Sequence, residues 1–387
     1  MNNNIIFAET TDGFPKKFTA NNSKTELIAR GLLNAGDDVT IINKIQGSEF
    51  IHKDVEQDSI NGLTYYSFKR YNTERFGYIK NLINQCKILK KLKQKNRNNI
   101  LIMGQPYFLV FLIEVFIYKI LGYKIGITKT EWPSQIKSIK GIKKIDYIIS
   151  DFAFGYFIDF ILPISSYIEE QCKKFHKRQL RIPILARFSQ YSPINSTQSK
   201  PYFLLCSTTA YKENIHIFIE AFSLFMNKYP NSEFGIKLVL SGKDEDIKLA
   251  QKYILHSPFK EHIEIYSQIP YNILLSLYKN ATGLFIPLQD TIQDKARFSQ
   301  KIAEYVSTGR PIITNNIGDI EQYFINDKNA YIANEYSAEA YYNIFSRIYL
   351  APEEANKIGY NGYLTGLKYF DNVKVSQGLS LFLSKLF

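Results

Sequence analysis

Short apolar runs alternate along this chain with longer stretches in which apolar positions return every three or four residues. Residues 4–8 predict a strand, 23–34 a helix and 38–42 the next strand, with a loop holding Gly13 and Pro15 between the first two. Residues 99–103, 124–128, 146–150 and 160–163 read as further buried strands. A polar, turn-rich stretch at 191–200 marks a linker. A second alternation follows, with strands at 202–205, 235–240, 263–266 and 283–287 and helices at 215–229, 246–255 and 271–280. Residues 373–387 are apolar at helical spacing. Strand, glycine loop, helix, strand opens a doubly wound parallel sheet, so the expected class is α/β with two Rossmann-like domains. The boundaries expected are 1–190 and 200–370, with 371–387 as a helix packing across their junction and a ligand in a central cleft between the domains.

Length agrees with this division, because 387 residues exceed one comfortable core. A hydrophobic share of 45% excludes disorder. Cys86, Cys172 and Cys206 lack any paired spacing, so neither a disulfide framework nor a zinc site is suggested, which fits a reducing, cytoplasmic setting. The first residues read as a lead-in to a strand rather than a signal peptide.

Charge changes the picture more than composition does. All of the formal excess of +12 lies in residues 1–190. An anionic partner for one domain only is therefore expected: a membrane surface, a nucleic acid or a phosphorylated acceptor. Residues 80–97 carry seven Lys or Arg around Leu82, Ile83, Cys86 and Leu89, a pattern that suits an anionic bilayer, a nucleic acid or a solvated outer helix. Residues 107–121 are strongly apolar but interrupted by Glu114 and Lys119, and predict a buried amphipathic helix rather than a membrane span.

The stretch from Arg297 to Pro311 carries the candidate chemistry. Ser299 can cap a helix start, where free amides and the dipole favour a phosphate. Gly309 can supply the left-handed residue that ends the helix, and Pro311 forbids its continuation. Lys212 follows the strand at 202–205 through a Ser/Thr-rich loop, at the strand end that faces a ligand in such sheets. Lys212, Arg297 and Lys301 could neutralise a leaving diphosphate.

Residues 297–314, read Arg-Phe-Ser-Gln-Lys-Ile-Ala-Glu-Tyr-Val-Ser-Thr-Gly-Arg-Pro-Ile-Ile-Thr, resemble the donor-site signature of family 4 GT-B glycosyltransferases, the group 1 type. Lys212 with Phe218-Ile-Glu-Ala-Phe222, Leu240-Ser-Gly242, Ser165-x-Tyr167 and Asp12-Gly-Phe-Pro15 resemble further motifs of that family. The resemblance implies that Glu304 holds ribose hydroxyls, Lys212 contacts the diphosphate, and Ser299, Gln300 and Lys301 cradle the distal phosphate. Ser267 and Gln268 would border the base, and Gly13 would let backbone approach the phosphate. Three departures stand out: Ala296 where the family has a first glutamate, Cys206-Ser207 in place of Gly-Arg, and Ser299 in place of a common proline.

The implied reaction is transfer of a hexosyl group from a nucleotide sugar to a glycan or lipid-linked acceptor, with retention and in cell-surface polysaccharide synthesis. No cofactor is implied, and the leaving group would be stabilised by Lys212, Arg297 and the helix dipole rather than by a metal. Glu131, after the strand at 124–128, is the candidate base, with a solvated carboxylate as its plainer reading. The protein would be cytoplasmic and peripheral on the inner membrane face. A nucleotide-sugar epimerase of the same fold and a basic nucleic-acid-binding protein are the alternatives. No stacked-aromatic or zinc module supports nucleic acid.

Overall fold

Thirteen strands form two sheets in the computed structural model, which describes residues 3–10, 14–15, 19–43, 46–104, 107–135, 139–176, 178–190 and 200–387. The strands are β1 (Asn3–Thr10), β2 (Asp38–Asn43), β3 (Val55–Ile60), β4 (Leu63–Phe68), β5 (Asn98–Met103), β6 (Lys124–Lys129), β7 (Phe160–Pro163), β8 (Tyr202–Thr208), β9 (Gly235–Ser241), β10 (Ile263–Ser267), β11 (Gly283–Phe285), β12 (Ile312–Asn315) and β13 (Tyr331–Ala333). Contacts divide the chain into two units. The first comprises Met1–Arg187, Lys295–Gln300 and Tyr369–Phe387, and the second Phe188–Asp294 and Lys301–Lys368. The linker expected at 191–200 and the loop residue Gly13 lie outside the described residues, apart from Lys200.

The first sheet runs β3-β4-β2-β1-β5-β6-β7, parallel except for the β3–β4 hairpin. That hairpin turns at Asn61-Gly62, both at positive φ. In β1 and β5 the register pairs Asn3 with Asn98 and Asn4 with Asn99. Asn4 donates to Asn99 at 2.8 Å and Asn98 to Asn3 at 3.1 Å, so buried amides satisfy one another where both strands begin. The helix Asn372–Ser384 lies within the segment for which a helix was expected, residues 371–387. It packs on the helix Ala20–Asn34 and sends Leu379 and Leu383 into the core of the first unit. A Cβ on Gly31 would stand 2.5 Å from the Asn372 carbonyl, so this helix pair requires a glycine there.

Residues 146–150 are not a strand. They belong to the helix Ile142–Ala153, whose apolar residues recur at helical spacing and face outward while Ser150 and Asp151 are buried. The helix Phe108–Ile120 forms where an amphipathic helix was expected, but only one face is buried, by Phe111, Glu114, Val115 and Tyr118. Among the described residues, no helix is long and apolar enough to cross a membrane. The basic run at 80–97 divides between the helix Glu74–Leu92 and the turn before β5. Lys80 pairs with Asp54 and Arg97 with Asp38, each at 2.8 Å, whereas Lys87, Lys90, Lys91, Lys93 and Lys95 are wholly or partly exposed.

The second sheet is wholly parallel, in the order β10-β9-β8-β11-β12-β13. Its core is aromatic. Phe203 stacks on Phe345 at 4.2 Å, and Phe218, from the helix Lys212–Lys228, stacks on Phe285 at 4.8 Å. Such ring pairs add to the burial energy of the large side chains themselves.

Candidate functional site

In the second unit the chain leaves β8 toward β9 on one side and, later, β11 toward β12 on the other. Strand order therefore reverses between β8 and β11, the position where parallel sheets open a ligand crevice at their carboxyl ends. Two loops emerge there. The loop after β8 leads through Thr209 and Tyr211 into the helix Lys212–Lys228, which begins on the exposed Lys212. The loop after β11 leads through the short helix Ile292–Ala296 to the helix Gln300–Ser307, which carries Lys301 and Glu304.

Buried polar side chains tie these loops down. Asn315, at the end of β12, accepts from the Leu288 amide and donates to the Leu288 carbonyl, each at 2.8 Å, and also accepts from Tyr341 at 3.0 Å. Asn214, in the first turn of the Lys212 helix, donates to the Pro287 carbonyl at 3.2 Å and is held by Tyr336 at 2.7 Å. Gln293 donates to the Tyr211 hydroxyl at 3.3 Å, so the two loops touch beside Lys212. From the sheet side, the Cys206 amide donates to the Tyr305 hydroxyl at 3.2 Å, which binds the helix of Lys301 and Glu304 to the end of β8.

Gly309 has φ +76 and closes that helix as its pattern predicts, its amide donating to the Val306 carbonyl at 3.1 Å. Burial pushes the Glu304 carboxyl up to about 7, with Lys301 one turn earlier pulling it down. Burial also raises the Cys206 thiol, so the residue standing where the family signature has an arginine-bearing pair is held neutral. Ser267 is partly buried at the end of β10. Gln268 follows at φ +54 and donates to Asp244 at 3.4 Å. Asp244, Glu245 and Asp246 open the helix Asp244–Leu255, where acidic residues complement the dipole.

The remaining candidates belong to the first unit. Arg297 pairs with Glu131, Nη2 to Oε1 2.5 Å, across 166 positions of sequence. Phe298 is buried against Phe370, and the Ala296 carbonyl accepts from the Ser165 hydroxyl at 2.7 Å. Ser165 also accepts from the Ile168 amide and so caps the helix Ser166–Lys173. The Gln300 amide is engaged at both ends by the Leu185 backbone, donating to its carbonyl and accepting from its amide at 3.2 Å. Ser299 is partly buried. Arg297, Ser299 and Gln300 thus sit on a short segment clamped by Ser165 and Leu185.

A buried ion pair that no sequence motif marks positions Glu131. Lys129 and Asp151 form a fully buried ion pair, and Asp151 also accepts the Ser134 amide at 3.0 Å. The Lys129 ammonium lies 5.0 Å from the ring centre of Trp132 and 4.7 Å from that of Phe154. Burial lowers the Lys129 pKa and the Asp151 carboxylate opposes that shift. The pair, the rings and the Ser134 amide together fix the loop that presents Glu131. A lysine closing a buried strand was the available signal, since an ammonium in that position needs a partner.

Residues 189–365 match the family described as glycosyl transferases, group 1. No curated protein matches the sequence. Sucrose-phosphate synthase from Thermosynechococcus elongatus superposes with a TM-score of 0.73 at 15% identity, covering 99% of each chain. A glycosyltransferase from Rickettsia africae superposes with a TM-score of 0.70 at 14% identity over 100% of this chain and 99% of its own. Anabaena HepE, solved in complex with UDP-glucose, gives 0.72 at 11% identity over 98% and 99%. The two parallel-sheet units are those of the GT-B fold.

Proposed function

We propose that this chain, whose residues 189–365 match the group 1 glycosyl transferases, is a retaining hexosyltransferase that moves a sugar from a nucleotide-sugar donor to a glycan or lipid-linked acceptor. The observation that carries this reading is the convergence of the Lys212 loop and the Lys301–Glu304 helix on the switch point between β8 and β11. Lys212 and Lys301 supply cationic charge where a diphosphate leaves, and the start of the helix Gln300–Ser307 adds its amides and dipole. Glu304, ionised, accepts from the ribose hydroxyls. Ser267 and Gln268, at the end of β10, border the base. Arg297, paired with Glu131 within the first unit, is a further candidate cation for the leaving group. The charge on the leaving group is met by these side chains without a metal.

The acceptor domain is the first unit, which holds the basic excess. That asymmetry supports an acceptor at an anionic membrane surface on the cytoplasmic side, as in the building of cell-surface polysaccharide. The test is a panel of UDP-, GDP- and CDP-sugars in thermal-shift and transfer assays, begun with UDP-glucose because HepE was solved with it. A donor at ~100 times its dissociation constant stabilises by about 2.7 kcal/mol. Lys212→Ala and Glu304→Ala should each lower turnover by about 10²–10³ while the far-UV spectrum is unchanged. Near-native transfer in both variants would remove the assignment.

A further inference from the structure

The helix Ile142–Ala153 is amphipathic in the reverse sense for an outer helix. Its buried residues are Ser150 and Asp151, while Ile142, Ile145, Ile149 and Phe152 form one outward stripe, 86, 60, 47 and 51% exposed. The helix Phe108–Ile120 presents a second stripe. Leu109, Ile113, Phe116 and Ile120 follow each other at four, three and four residues and are 69, 48, 68 and 69% exposed. The two helices are joined, because Asp146 accepts the Phe108 amide at 3.0 Å and caps the second helix from the first. Tyr78 donates to Glu114 at 2.7 Å and brings the helix Glu74–Leu92 alongside, with Phe76, Ile79 and Ile83 exposed.

Soluble monomers seldom expose contiguous apolar patches beyond roughly 300–600 Å². The charges beside these stripes identify what covers them. Lys140, Lys143 and Lys144 are exposed at the start of the helix Ile142–Ala153. The nearest acidic residue in sequence, Asp146, has both oxygens on the Phe108 amide, at 3.0 and 3.3 Å. Apolar stripes flanked by lysines suit a bilayer interface, with the rings and branched chains at the acyl boundary and ammonium groups among anionic headgroups. A second copy of the chain would instead bring an equally lysine-flanked face against this one.

We propose that the helices Phe108–Ile120 and Ile142–Ala153 form a surface that inserts, without spanning, into the interface of an anionic bilayer. The inference deepens the membrane-side acceptor reading and rests on it. It assigns docking to the apolar helix pair rather than to the lysines at 87–95.

The experiment is flotation of the full chain with phosphatidylcholine vesicles, with and without phosphatidylglycerol, together with thermal shifts by the UDP-, GDP- and CDP-sugar panel on the same preparations. The wild type should float with the anionic vesicles. Phe116→Ser combined with Ile145→Ser should lower the partition about tenfold or more. An indole introduced by Ile149→Trp should shift its emission to the blue on vesicle addition. Reversing Lys140, Lys143 and Lys144 to Glu should abolish the preference for anionic lipid. A wild type that stays unbound, a double variant that floats equally well, or an unshifted emission from the introduced indole would each overturn the proposal. So would a dimer in sedimentation that the double variant dissolves while vesicles go unbound. Lost flotation with the donor shift intact rejects insertion alone, whereas flotation without a shift from any member of the UDP-, GDP- and CDP-sugar panel rejects the transferase reading and leaves insertion standing.

Discussion

The hydroxyl of Tyr305 accepts the Cys206 amide hydrogen at 3.2 Å, joining the end of β8 to the helix that carries Lys301 and Glu304. Its ring lies edge-on to Tyr278 at 4.9 Å and is fully buried. A single phenol thus sets the distance between the two halves of the proposed donor site. Tyr305→Phe keeps the ring and leaves a buried amide unsatisfied, which costs about 1–3 kcal/mol. The expected outcome is a lower midpoint in urea with a several-fold weaker response to UDP-glucose. An unchanged donor response would show that this hydrogen bond does not position the helix.

Glu131 and Arg297 test each other. If Glu131 orients the guanidinium, Glu131→Gln keeps a hydrogen-bond acceptor and should lower kcat by less than about tenfold, while Arg297→Ala should raise KM for the donor. A loss on the scale of 10²–10⁴ in kcat for Glu131→Gln, about that of a removed general base, would assign it proton transfer instead.

The carboxyl of Glu304 is raised from 4.5 to about 7 by burial, and that of Glu114 shifts in the same direction to about the same value. A carboxyl raised in the native state binds its proton more tightly there than in the unfolded chain. Its stabilising contribution is therefore present below pH 4.5 and lost as pH rises through 7. Tm should fall across that window, and Glu304→Gln and Glu114→Gln should each flatten part of the fall. Donor affinity should run the other way, rising with ionisation of Glu304 through about pH 7 and becoming flat in Glu304→Gln. Parallel profiles in wild type and variant would remove Glu304 from the site.

The buried pair of Lys129 and Asp151 should be costly to break. Asp151→Ala removes the Asp151 carboxylate from the ammonium between Trp132 and Phe154 and takes away the acceptor of the Ser134 amide. A loss of about 3–5 kcal/mol in urea unfolding is expected. A loss under about 1 kcal/mol would mean that water or another group reaches Lys129.

Which features were legible in the residues follows from the range over which each is decided. Strands β1, β2, β5 and β8 were legible because burial on both faces demands unbroken apolar runs. Residues 146–150 read as such a run, but they are one turn of the stripe of Ile142, Ile145, Ile149 and Phe152. An apolar stripe facing outward gives the same short pattern as a buried strand. The β3–β4 hairpin went unpredicted although Asn61-Gly62 carries its turn signal, because polar Val55–Ile60 has no buried face to announce it.

By itself, then, the sequence determined the α/β alternation, the helix Gln300–Ser307 with its Gly309 stop, and the placing of Lys212 just past a strand. Each of these is settled by backbone preference and apolar period within a few residues. The tertiary structure alone decided that Ser165 anchors Ala296, that Leu185 engages Gln300, that Glu131 meets Arg297, and that the helix Asn372–Ser384 closes the first unit. It also turned the two apolar helix stripes outward. Those pairings join groups more than a hundred positions apart, and no local pattern encodes a partner that the chain meets only when the first unit has folded.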